Sequence, residues 1–152
     1  IGGLEKEHLT GNVSYDPANH QRMCELRRDK VNRVRMDMGP LHVSGERTGD
    51  VLVIGWGSTR GAIATAVEAA QAEGKRVTHS HQRYIHPLHP DLDDLIRGFD
   101  KVLVPEINLG QLVKVLRAEY LVDARGFNKI TGQPLNVGEI RKAIDDLLYG
   151  DA

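Results

Sequence analysis

A strand that runs through a glycine turn into a helix constrains this chain more than any other segment. The run Val51–Gly61 reads VLVIGWGSTRG, with glycines at positions one, three and seven of the turn. Dinucleotide-binding loops need their third glycine at position six, which Arg60 occupies here, and no Gly-Lys-Ser/Thr follows to make a Walker loop. The next strand also ends near Val77–His79 without the carboxylate that would hold a ribose. The run therefore favours a tight strand-to-helix turn over a nucleotide site.

The bulk composition excludes several classes of protein. With 152 residues the chain is long enough for one domain with a hydrophobic core, and its net charge of −1 gives no basic surface for nucleic acid. Cys24 is the only cysteine, which rules out an internal disulfide and a cysteine-held iron–sulfur cluster. No apolar run is long enough to span a membrane, and no signal peptide is visible. These features predict a cytoplasmic protein.

The sequence predicts two regions, residues 1–50 and 51–152. Residues 1–15 are irregular, Asp16 and Pro17 begin a charged helix that runs to about Met36, and residues 39–50 are typical of a linker. From Val51 onward short apolar runs alternate with amphipathic helices, which indicates parallel strands between helices. We therefore expect a three-layer α/β/α domain preceded by a helical arm.

Histidines crowd the stretch from His79 to His89, with His81 and His86 between them. Imidazoles bind zinc and copper, but Pro87 separates His86 from His89 in a loop, and no carboxylate accompanies the histidines before Asp91. The spacing favours a strand end and a loop over a metal site, so we predict no metal site in this chain. Cys24 has no paired base, and Ser58 lacks the nucleophile elbow, so we assign no catalytic residue either.

Two segments remain as candidate sites. Gly55, Gly57, Ser58 and Thr59 form a candidate anion or partner site at the glycine turn. Glu106, Asn108 and Gln111 lie between the third strand of residues 51–152 and the following helix, and we interpret them as candidate interface residues. Capping of that helix by Asn108, with the other two side chains merely solvated, explains the same pattern equally well.

Several motifs resemble one enzyme family. They are SYDPANHQRM at 14–23, GWGST at 55–59, PEINLGQL at 105–112, RAEYLVD at 117–123 and NKITGQP at 128–134. Together they are similar to the C-terminal portion of the alpha subunit of 2-oxoacid:ferredoxin oxidoreductases, the portion corresponding to domain II of pyruvate:ferredoxin oxidoreductase. The 2-oxoglutarate type is the most similar, with the pyruvate and branched-chain types close behind.

The resemblance implies a transketolase C-terminal-like domain with a mixed, mostly parallel sheet. It implies an enzyme that oxidatively decarboxylates a 2-oxoacid to an acyl-coenzyme A and reduces ferredoxin, using thiamine diphosphate, magnesium and an iron–sulfur cluster. In the family those groups are held by other domains or subunits, so we expect this chain to bind no cofactor. Its expected partners are the beta subunit, the N-terminal domain of the alpha subunit and, through the complex, ferredoxin. The alternative from another class is a free-standing nucleotide- or coenzyme A-binding regulatory module that uses the Gly55–Gly61 turn.

Overall fold

The computed structural model describes residues 3–150, and it divides the chain into two compact units, Ile1–Gly39 and Pro40–Ala152. The sequence placed this boundary at residue 50. The difference arises because residues 40–50, rich in turn-forming residues, supply the short strand β1 (Val43–Ser44) and the start of β2 (Gly49–Trp56). The expected linker is thus part of the α/β unit.

The first unit is built around α1 (Pro17–Asn32), which continues as a 3-10 turn over Arg33–Asp37. Asp16 caps the helix as predicted, because its carboxylate accepts hydrogen bonds from the backbone N–H groups of Ala18 and Asn19. None of the residues of α1 is buried. A helix this polar gains little from packing within its own unit, which is typical of helices that contact something else.

The second unit contains a five-stranded sheet in the order β1-β3-β2-β4-β5. Its strands are β1 and β2, β3 (Val77–Gln82), β4 (Phe99–Glu106) and β5 (Ala124–Asn128), and its helices are α2 (Arg60–Ala72), α3 (Leu92–Arg97), α4 (Gln111–Tyr120) and α5 (Val137–Tyr149). The four longer strands are parallel, and β1 is antiparallel to β3. The mixed, mostly parallel sheet between helices is confirmed.

Both faces of the sheet are covered, as the continuous apolar strands predicted. On β2, Val51 and Val53 point into one core with residues of α2 and α5, and Leu52 and Ile54 point into the other core with residues of α3 and α4. All four of these side chains are fully buried. Among the described residues, no helix is long and apolar enough to cross a membrane.

Candidate functional site at the carboxyl edge of the sheet

Strands β2 and β4 lie side by side but lead the chain in opposite directions, β2 to β3 and β4 to β5. Small-molecule ligands of open α/β sheets bind in the crevice that such a reversal opens at the carboxyl ends of the strands. Here Trp56 ends β2 and Glu106 ends β4, and the indole Nε1–H donates to Glu106 Oε1 over 3.2 Å. This hydrogen bond ties the ends of the two neighbouring strands together at the carboxyl edge of the sheet.

Glu106 is fully buried and accepts four hydrogen bonds. Besides the indole of Trp56, Oε1 accepts from Asn108 Nδ2 at 3.1 Å and from the backbone N–H of Leu112 at 2.9 Å, and Oε2 accepts from the N–H of Val113 at 3.1 Å. The carboxylate therefore joins the ends of β2 and β4 to the first turn of α4. We call this arrangement the Glu106 brace.

Asn108 completes the same helix start. Its Oδ1 accepts from the backbone N–H groups of Gly110 at 2.8 Å and Gln111 at 3.0 Å. The first N–H groups of a helix have no partner inside the helix. Side chains of Asn108 and Glu106 satisfy four consecutive ones, from Gly110 to Val113, which is why this short loop can be rigid.

The structure separates the three predicted interface residues. Glu106 is buried, Asn108 is partly buried, and only Gln111 is exposed. Glu106 therefore presents no surface to a partner, and its side chain is not solvated either. The exposed residues of the loop are apolar: Ile107 is 46% and Leu109 is 69% exposed. Sequence reasoning missed Ile107, although its position between two polar residues, Glu106 and Asn108, was a signal available in the sequence.

The glycine turn forms a single 3-10 turn, Gly57–Thr59, before α2. Gly57 has a φ of +59° and open space around it, and the Thr59 hydroxyl donates to the carbonyl of Trp56 over 2.8 Å. Gly55 is closely packed, because an added Cβ would lie 2.5 Å from Ile63 Cδ1. Packing and turn geometry thus account for both glycines, and the candidate anion or partner site at this turn stays a prediction.

The histidine stretch splits in two. His79 is fully buried and His81 is half-buried on β3, and the ring of His42, from the segment before β1, lies 5.8 Å from that of His79. His86, in contrast, is exposed in the following loop. Both ring nitrogens of His79 lack a hydrogen-bond partner among the described residues. The interpretation as a polar strand end was wrong for His79.

Burial, together with the nearby His81, His42 and Arg60, lowers the pKa of His79 from 6.5 to about 3. Burial is also the main cause of the lowered pKa of His81. Because burial disfavours the charged form of the imidazole, His79 lowers the stability of the folded chain increasingly as the pH falls.

No model of a protein family matches this chain. Over 99% of its length, however, it is 41% identical to the 2-oxoglutarate oxidoreductase subunit KorA of Mycobacterium tuberculosis. Over 97% it is 30% identical to the alpha subunit of the 2-oxoacid:ferredoxin oxidoreductase 2 of Aeropyrum pernix. This chain is homologous to part of the alpha subunit of the 2-oxoacid:ferredoxin oxidoreductases. It spans 23% and 24% of the lengths of these two relatives.

The structure agrees with the sequence relationship. It aligns with the 2-oxoglutarate:ferredoxin oxidoreductase of Magnetococcus marinus, solved with 2-oxoglutarate, coenzyme A and succinyl-CoA bound, at a TM-score of 0.87 and 32% identity. The alignment covers 94% of this chain and 26% of that one. A split-gene transketolase in an inactive beta4 tetramer, 18% identical, aligns with 70% of this chain and 41% of its own at a TM-score of 0.54, which indicates a shared fold alone. The predicted family and transketolase-like fold are confirmed.

Proposed function

We propose that this chain is a structural and subunit-contact part of a thiamine-diphosphate-dependent 2-oxoacid:ferredoxin oxidoreductase, with 2-oxoglutarate as the favoured substrate of the assembled enzyme. That enzyme oxidises and decarboxylates the 2-oxoacid, forms the acyl-coenzyme A and reduces ferredoxin. The observation that carries the proposal is 41% identity over 99% of the chain to a subunit named for 2-oxoglutarate. The 2-oxoglutarate-bound structural relative supports the same substrate.

The residues of this chain fit a supporting role better than a catalytic one. One cysteine cannot hold a cubane cluster, and at the carboxyl edge the Glu106 brace ties the ends of β2 and β4 together. We therefore assign thiamine diphosphate, magnesium, the cluster and coenzyme A to other parts of the enzyme. The contact with the beta subunit, or with the rest of the alpha subunit, involves the exposed loop residues Ile107 and Leu109 and the first residue of α4, Gln111.

A chimera tests this function. The 152 residues would replace the homologous quarter of the alpha subunit of the Mycobacterium tuberculosis enzyme, which would be co-expressed with its beta subunit. We expect the chimera to assemble and to reduce viologen dye with 2-oxoglutarate. Leu109→Asp should weaken assembly, whereas Leu121→Asp, at a residue that is 91% exposed beyond α4, should not. A folded chimera that does not assemble, or a 152-residue chain that is active alone, would contradict the proposal.

The rival function, a nucleotide- or coenzyme A-binding module, is tested by thermal unfolding of the 152-residue chain with NAD, NADP, ADP, coenzyme A and thiamine diphosphate. A ligand at about 100 times its dissociation constant adds about 2.7 kcal/mol, which raises the melting temperature of a chain this long by at least about 5 °C. We expect no such rise. A rise that Gly57→Ala abolishes would establish the rival, because that change alters the turn while costing the fold only about 1–2 kcal/mol at a positive φ.

A further inference from the structure

Three metal-ligating side chains meet in the first unit, far along the sequence from the histidine stretch. They are Glu5, His20 and Cys24, and one ligand atom from each lies within 4.8 Å of those from the other two. Glu5 Oε2 is 2.8 Å from His20 Nδ1, and Cys24 Sγ is 3.7 Å from His20 Nε2. A tetrahedral zinc ion with bonds of about 2.0–2.3 Å would separate its ligand atoms by roughly 3.3–3.8 Å. Because the carboxylate and the thiol face different nitrogens of His20, the imidazole must turn before one ion can contact all three ligands.

The fold prepares this cluster. His20 and Cys24 are four residues apart on α1, so they share one face of the helix. Glu5 is held beside them because the Lys6–Val13 bridge folds the N-terminal segment back, and Asn19 Nδ2 donates to the carbonyl of Lys6 over 2.9 Å. The three ligands therefore come from two segments that are tied together independently of the cluster.

The guanidinium of Arg27 already pairs with two of the three ligands, Glu5 and Cys24. The guanidinium of Arg27 donates to both carboxylate oxygens of Glu5, each over 3.2 Å, and to Cys24 Sγ over 3.3 Å. Arg27 and His20 lower the pKa of Glu5 to about 2, so its carboxylate is anionic throughout the physiological range. The side chain of Arg27 is 55% exposed and can turn into solvent when another cation takes its place.

We propose that Glu5, His20 and Cys24 form a binding site for a thiophilic divalent cation of the zinc class, with Arg27 as the competing internal cation. The donor set of one carboxylate oxygen, one imidazole nitrogen and one thiolate suits zinc and excludes magnesium and calcium, which need oxygen ligands. Binding releases the thiol proton of Cys24 to solvent, and water completes the coordination. The sequence predicts no metal site because spacing along the chain does not show that Glu5 lies beside α1. The fold of the N-terminal segment brings it there.

Cobalt(II) is the probe, because a thiolate-to-cobalt charge-transfer band can arise only from Cys24, the one cysteine of the chain. In the 152-residue chain we expect a saturable band of one cobalt per chain that zinc displaces. Glu5→Gln and His20→Gln should each weaken cobalt binding at least tenfold. Arg27→Met should strengthen it severalfold, whereas Arg28→Met, at an exposed arginine paired with Asp29, should leave it unchanged.

Circular dichroism of each variant checks that the fold is kept, so that a lost band reports the loss of the metal site and not unfolding. The proposal is overturned if no band saturates at micromolar to millimolar cobalt. It is also overturned if the band survives unchanged in both Glu5→Gln and His20→Gln, since the thiol would then be binding cobalt alone.

Discussion

Glu106→Gln is expected to lower the free energy of unfolding by about 2–3 kcal/mol. The amide keeps one acceptor oxygen, at the Oε1 position where three donors meet, and turns its NH2 group towards the buried N–H of Val113. A buried donor left without a partner costs about 1–3 kcal/mol. Here the new amide hydrogens also face a backbone N–H, so two donors oppose each other. Glu106→Ala should cost more, about 3–4 kcal/mol, because it adds a cavity to the lost hydrogen bonds.

Urea unfolding of the 152-residue chain measures these changes. Glu119→Gln, on the exposed side of the same helix α4, is the matched control and should stay within about 0.5 kcal/mol of the unaltered chain. Trp56→Phe should cost about 1 kcal/mol by itself and less in the Glu106→Ala background, because both changes break the same hydrogen bond. An additive double variant, or a Glu106→Gln chain as stable as the control, would show that the brace is not coupled as the geometry indicates.

Much of the fold was predictable because apolar patterns and helix-capping residues in the sequence indicate the same strands and helices. The apolar run that starts at Val51 and the helix cap at Asp16 both appear in the structure. The sequence predicts a linker over residues 39–50 because β1 is only two residues long, too short to show an alternating pattern. Its pairing with β3 is a tertiary contact that local propensity does not encode.

The site was harder to predict, because burial decides what a polar side chain does. Spacing placed Glu106 and Asn108 near a helix start, but it could not tell a solvated carboxylate from one enclosed by four donors. The same limit applies to His79, whose neighbour His42 comes from a distant segment of the chain. Long-range pairing of β1 with β3 creates that environment.

His79 is expected to make the chain less stable as the pH falls below 6.5. The pKa of His79 is about 3 in the folded chain and 6.5 when it is unperturbed, so between these values the unfolded chain binds a proton that the folded chain does not. The free energy of unfolding therefore drops by up to about 1.4 kcal/mol for each unit of pH, and the loss is complete below pH 3, where both states are protonated. Above pH 6.5 neither state is protonated and this term vanishes.

His79→Leu isolates this effect. The apolar side chain replaces two nitrogens that have no partner among the described residues, so at pH 7.5 its stability should lie within about 1 kcal/mol of the unaltered chain. Between pH 6.5 and 5 the unaltered chain should lose up to about 2 kcal/mol more than the variant. This window lies above 4.5, the ordinary pKa of the glutamates whose pKa is lowered here, Glu73 and Glu139 among them.

The pKa of His81 is also lowered, so a smaller slope should remain in His79→Leu and disappear in the double variant with His81→Asn. His8→Leu, at an exposed histidine of the first unit, should leave the slope of the unaltered chain in place. Equal slopes for the unaltered chain and His79→Leu would mean that the imidazole takes up a proton in the folded state near pH 6. That result would require a water or acidic partner inside the cluster of His42, His79 and His81. Burial of His79 would then not destabilise the folded chain at low pH.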